Sequence, residues 1–98
     1  MQTFILLTKL TPELSQRMKD RSAIGGNWLE LVKEKCPEVK FIAHYALLGQ
    51  YDFLDIYEAP DVKSAAKVSM ISQAKGALQA ESLPAFPYKD FLDLVDTL

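Results

Sequence analysis

One cysteine, Cys36, and one histidine, His44, are all that this 98-residue chain has of two common metal-binding side chains. A lone cysteine excludes an intramolecular disulfide and any multi-cysteine metal site. No H-x-x-H or C-x-x-C spacing exists either, so neither a metal nor another cofactor is expected. Lysine and arginine never cluster beyond two or three residues, and the formal net charge is -2. Nucleic-acid binding normally leaves a basic footprint, so DNA and RNA are not expected partners. No apolar run approaches the ~18 residues that a membrane span needs. The opening Met1-Gln2-Thr3-Phe4 has no charged segment leading into an apolar one, so a signal peptide is not expected. These absences together point to the cytoplasm. Repeats, low-complexity segments and linkers are missing too, so residues 1–98 read as a single domain.

What the chain does have is apolar residues, 49% of the total. That is high for a domain this small, which buries only a modest share of its surface. Self-association is the natural way to bury the excess.

Phe4 to Leu10 reads as a buried first strand. Thr11-Pro12-Glu13 opens a helix: Thr11 caps, Pro12 suits the first helical position, and Glu13 favours the positive helix end. That helix is expected to run to about Asp20. Gly25-Gly26 is expected to interrupt it, with Asn27 capping a second helix that ends near Cys36, before Pro37. Val39–Leu47 and Phe53–Glu58 alternate like strands around Leu48-Gly49-Gln50-Tyr51-Asp52, a glycine-centred turn, and so read as a β-hairpin. Asp61 caps a helix over 62–75, which Gly76 stops. Ala77–Leu83 reads as a fourth strand ended by Pro84 and Pro87. Tyr88, Phe91, Leu92, Val95 and Leu98 form an apolar stripe on a short C-terminal helix.

The order strand, helix, strand, strand, helix, strand is the ferredoxin-like β-α-β-β-α-β pattern. It implies an α+β fold, a four-stranded antiparallel sheet with helices on one face. The other face is open and apolar, and a second copy is the usual cover.

A two-residue Gly49-Gln50 turn would set Leu48 opposite Tyr51, Ala46 opposite Phe53, His44 opposite Asp55 and Ile42 opposite Tyr57, all on one face. Phe41, Ala43, Tyr45, Leu47, Asp52, Leu54 and Ile56 would share the other. The second set is mostly aliphatic and suits helices, so the first is expected on the open side. A histidine beside a carboxylate in a partly apolar cleft forms a general acid–base unit, in which the carboxylate orients the ring and favours its protonated form. The simpler reading is a cross-strand ion pair that fixes register at a dimer interface. Tyr51 or Tyr57 can supply a hydrogen bond to a ligand oxygen. Phe53 lies beside the pair. Trp28 reads first as core and second as the lining of a cleft mouth. Tyr51, Phe53, Tyr57 and Trp28 are therefore the candidate ligand-binding residues. Asp52 reads as turn architecture and Cys36 as a small buried hydrophobe.

Leu48-Gly49-Gln50-Tyr51-Asp52, Glu58-Ala59-Pro60-Asp61, the opening Leu7-Thr8-Lys9-Leu10-Thr11-Pro12-Glu13 and the helix bearing Ala65-Ala66-Lys67 together resemble the GYD-domain family, named for a Gly-x-Tyr-Asp signature. The resemblance covers nearly the whole chain. It implies the dimeric α/β-barrel superfamily, in which two ferredoxin-like subunits stack sheet against sheet. That superfamily includes cofactor-free monooxygenases, small isomerases and lyases, haem-binding chlorite dismutases and effector-binding domains of transcription regulators. Such breadth makes it an analogy of fold rather than a statement of reaction.

The leading expectation is a stand-alone small-molecule-binding domain that works as a homodimer or higher homo-oligomer. The alternative is a cofactor-independent monooxygenase, isomerase or lyase acting on a small organic acid or aromatic. In that reading His44 is the base, Asp55 its orienter and a tyrosine the oxyanion donor. A third reading is an assembly subunit whose sheet face and terminal helix only join copies.

Overall fold

A computed structural model describes residues 1–98. Its elements are β1 (Gln2–Leu10), α1 (Pro12–Ser15), a 3-10 turn (Met18–Asp20), α2 (Arg21–Lys35), β2 (Lys40–Ala46), β3 (Phe53–Ala59), α3 (Val62–Ala74), β4 (Ala77–Ala85) and α4 (Tyr88–Val95). The four strands form one sheet in the order β2-β3-β1-β4, and every neighbouring pair is antiparallel. This is the expected ferredoxin-like α+β arrangement. No helix is long and apolar enough to cross a membrane.

β1 holds the centre because both of its faces are apolar. Phe4, Leu6, Thr8 and Leu10 are buried beneath the helices, while Ile5 and Leu7 stay half-exposed on the other side. Phe4 and Leu6 of β1 join Val32 and Cys36 from the α2 end, Tyr57 from β3 and Ala65, Val68 and Ile71 from α3 in one core. Burial pushes the Cys36 thiol up, which suits the packing role expected of it.

Two helix boundaries differ from expectation. α1 lasts a single turn and gives way to the 3-10 turn before Asp20. Gly25-Gly26 does not interrupt anything: α2 runs through both glycines and Asn27 lies within it. Glycine weakens a helix interior by only about 0.5–1 kcal/mol, which the packing of Val32 and Trp28 further along offsets. The other two expected caps do form, while Asn27 caps nothing. Thr11 accepts from the Leu14 amide, and Asp61 accepts from the Ser64 amide at 2.8 Å. β4 continues through Pro84 to Ala85, which an edge strand tolerates because half of its amides face away from the sheet.

The hairpin pairs as expected at its heart. Ala46 lies opposite Phe53 and His44 opposite Asp55, and the pairing reaches the Leu47 amide, which donates to the Asp52 carbonyl at 2.9 Å. A bulge at Ile42 then shifts the register, so Phe41 lies opposite Tyr57 in place of the expected Ile42. The bulge turns Phe41 toward the helices, where its ring meets Trp28 edge-on at 5.3 Å and Tyr57 at 5.5 Å.

The assignment of faces is reversed. Asp55 and Tyr57 are buried beneath the helices, and the face expected to be open is the one they cover. Ala43, Tyr45, Leu54 and Ile56 lie on the uncovered face, in register with Ile5, Leu7 and Leu83. The reason is chain handedness. β1 and β2 run parallel, as do β3 and β4, and right-handed crossovers between them place the helices on one side whatever the polarity of the hairpin. Both faces of the hairpin are apolar enough to be covered, so composition ranks them poorly.

α4 stands apart from the core. None of its residues is buried, and Phe91, Leu92 and Val95 all remain exposed.

Candidate functional site

α2 buries only Val32 among its residues, so its first half stands off the sheet. The gap is a cavity of about 480 Å³. Its floor is Thr8 of β1 with Phe53 and Asp55 of β3. Its roof is α2, through Arg21, Gly25, Gly26 and Trp28. Ser72 and Lys75 close one end, and His44 stands at the opposite rim on the edge strand β2. A volume of this size suits a small organic ligand.

A Cβ added to Gly25 or Gly26 would meet nothing within 4 Å. The glycines are therefore not required by close packing of the protein on itself. Their missing side chains widen the space at the cavity wall.

His44 and Asp55 meet through Nδ1 and Oδ1. The two ends of the pair differ in exposure: the Asp55 side chain is 3% exposed and the His44 side chain 58%. Burial raises the Asp55 carboxyl above its ordinary range, and the charge and hydrogen bond of His44 pull it partly back. The His44 ring also stacks on Phe53 at 5.4 Å, and the Arg21 guanidinium sits over the same Phe53 ring at 5.6 Å. Phe53 thus contacts both an imidazole and a guanidinium.

Trp28 is oriented by a hydrogen bond from its indole Nε1 to Ser72 Oγ at 2.8 Å, and Ser72 in turn donates to the Val68 carbonyl at 2.9 Å. Trp28 both packs against the core and lines the cavity.

The two candidate tyrosines lie elsewhere. The Tyr57 hydroxyl is engaged beneath α3, donating to Ser82 Oγ at 2.7 Å, and burial pushes its phenol up. Tyr51 follows the loop to the uncovered face and donates to Glu81 at 3.1 Å. Neither lines the cavity. Of the expected ligand-binding residues, Trp28 and Phe53 come together there with His44 and Asp55.

Asp52 has the architectural role expected of it. Its amide donates to the Thr8 carbonyl at 2.8 Å, and its carboxylate accepts the Leu10 amide at 2.8 Å. It thereby continues the ladder past the end of β3, where β1 would otherwise lose its partner.

Arg21 and Lys75 have no counterpart in the sequence reading. Neither forms an ion pair with a carboxylate of the chain. Arg21 Nη2 donates to the Ser15 carbonyl at 3.2 Å, while its Nε is buried with no acceptor. The one available signal was Gly25-Gly26 within an otherwise helical stretch, which marks the cavity wall but not its charged end.

The GYD domain family model matches residues 4–95. A protein of Thermus thermophilus named "Glutamine synthetase and cystathionine beta-lyase binding protein" is 32% identical over 93 residues, covering 94% of this chain and 96% of the relative. No solved structure matches significantly. With the signature hairpin in place on a ferredoxin-like sheet, and a family match running almost end to end, the chain belongs to the GYD domain family.

Proposed function

We propose that this chain is a binding module that pairs with a second copy through its uncovered sheet face and holds a small molecule in the cavity between α2 and the sheet. The observation that carries the reading is the cavity itself, about 480 Å³ bordered by two consecutive helix glycines that no internal contact requires. Evolution toward stability alone would fill such a wall, because alanine at either position strengthens a helix.

Pairing is supported by the uncovered face. Ile5, Leu7, Leu54 and Ile56 are half-exposed at the centre of the sheet, with Tyr45 and Leu83 exposed at its sides. A contiguous apolar patch of this kind marks an interaction surface. The relative's name gives two metabolic enzymes as its binding partners, which supports enzyme binding as part of this module's role.

Thermal-shift measurements across classes of metabolite, with the mass in solution determined in parallel, test the reading. A dimeric mass and a raised Tm with at least one class are expected. A monomer whose Tm no class raises would end it.

The cofactor-independent enzyme reading is favoured by one observation: His44 reaches the cavity with Asp55 behind it. There His44 would be the base and Asp55 its orienter. The displaced tyrosine hydroxyls leave the role of oxyanion donor to Arg21. This reading requires a bound ligand to be converted, with turnover lost and affinity kept in His44→Gln. Recovery of the unchanged ligand after long incubation with the native protein would remove it.

A further inference from the structure

We propose that the cavity takes a small organic anion, a carboxylate carried on an apolar body, with Arg21 as its principal charge partner. This rests on the binding reading above and names the ligand class.

Arg21 carries the argument. A buried N–H without an acceptor is rare in native proteins and calls for an explanation. Arg21 Nε is such a group, and it belongs to a side chain that lines the cavity. The guanidinium is anchored at two points: Nη2 donates to the Ser15 carbonyl at 3.2 Å, and the carbon lies over Phe53 at 5.6 Å, while Nη1 makes no hydrogen bond to the chain. A guanidinium held in place, with its charge unpaired by any carboxylate of the chain, is partly pre-organised for an anion entering the cavity, because less freedom is lost when it arrives.

The charge balance agrees. Arg21 and Lys75 bring two positive charges to the lining, against the single carboxylate of Asp55, which His44 engages. Neither cation is neutralised by an acidic side chain of the chain. Lys75 follows the end of α3, at the same end of the cavity as Ser72. The remaining wall supplies Ile24, Trp28, Leu29, Phe41 and Phe53, which suit an aromatic or branched body and not a fully hydrated inorganic ion.

Matched pairs of probes that differ only in charge test the assignment: phenylacetate against phenylacetamide, and indole-3-acetate against indole-3-acetamide, titrated calorimetrically into the full chain. Each acid is expected to bind at least tenfold more tightly than its amide, and Arg21→Met is expected to erase that preference. Because Arg21→Met also removes a contact to Phe53, the native protein supplies a second readout: its Arg21 Nε–H resonance should move with phenylacetate and not with phenylacetamide. Lys75→Met should weaken the acids and leave the amides unchanged.

Amides that bind as tightly as the acids would overturn the anionic class and leave the binding module standing. Acetate binding as tightly as phenylacetate would overturn the apolar half. If neither acids nor amides bind and Arg21 Nε–H stays still, the anion proposal fails. The metabolite screen then decides separately whether the cavity binds anything.

Discussion

Asp55 on β3 is sealed beneath the helices, yet its partner across the hairpin, His44, stands mostly in water with its Nδ1 joined to the buried carboxylate. A buried charge with one partner depends on that partner. Replacing His44 by alanine should lower stability by about 1–3 kcal/mol, because it leaves the carboxylate unpaired. The double variant His44→Leu/Asp55→Leu should recover most of the loss. Urea unfolding of the single and double variants measures both, and a double variant no more stable than His44→Ala would show that the pair matters through packing rather than charge.

The same carboxyl makes stability depend on pH. Its folded pKa lies above the unfolded value, chiefly through burial. The folded state therefore holds its proton more tightly, and the resulting stabilisation is full below about pH 4 and lost as pH rises through the folded pKa. Relative to Asp55→Asn, which does not titrate there, the native protein should become less stable as pH climbs through that window. Unfolding midpoints of the two proteins across the acid range give the difference. A difference that moves the other way would mean that pairing with His44 outweighs burial.

The glycines should respond in opposite senses. Gly25→Ala and Gly26→Ala meet no neighbour within 4 Å and should each raise stability by about 0.5–1 kcal/mol. Under the binding reading the added methyl groups narrow the cavity wall, so the same variants should weaken ligand binding. At Gly76, φ is +109° and an added Cβ would lie 1.9 Å from Leu14 Cδ1. Gly76→Ala should lower stability by about 1–3 kcal/mol. Thermal unfolding of the three variants, with ligand titration of the first two, separates these effects.

Asp52→Ala should expose the β1 end of the ladder. The Leu10 amide loses its acceptor and should exchange with solvent far faster, while global stability falls by about 1–2 kcal/mol. Hydrogen exchange resolved at Leu10 measures the local effect. Unchanged protection there would remove the role assigned to the Asp52 carboxylate.

Leu54→Lys should interrupt the apolar patch on the uncovered face without touching the core, since Leu54 lies between Leu7 and Tyr45 across the sheet. If copies pair through this face as proposed, light scattering after size-exclusion chromatography should show a folded monomer of Leu54→Lys where the native protein is a dimer. A native mass in this variant would place the contact between copies on another surface, such as the exposed α4 stripe.

Several of these features were legible residue by residue. The apolar run of Phe4 to Leu10, the Thr11-Pro12 start and the Asp61 cap act within a few residues, and each element formed where the local chemistry puts it. The bulge at Ile42 was not legible, because the gain that drives it, Phe41 against Trp28 and Tyr57, comes from a helix and a strand distant in sequence. Arg21 was invisible for the same reason: its significance lies in an acceptor it lacks once Ser15, Phe53 and α2 have come together.

By itself the sequence determined the element order, the hairpin with its His44–Asp55 pairing and the family signature, although the strands part beyond Leu47 and Asp52 and Leu48 does not pair with Tyr51. These depend on short-range periodicity and on the turn chemistry around Gly49-Gln50. The tertiary structure alone decided which face of the hairpin the helices cover, and with it the split of the candidate residues: Phe53, His44 and Asp55 to the cavity, Tyr51 to the uncovered face, and the Tyr57 hydroxyl to Ser82. That choice is made by the handedness of two crossovers spanning most of the chain, and no local pattern of polarity encodes it.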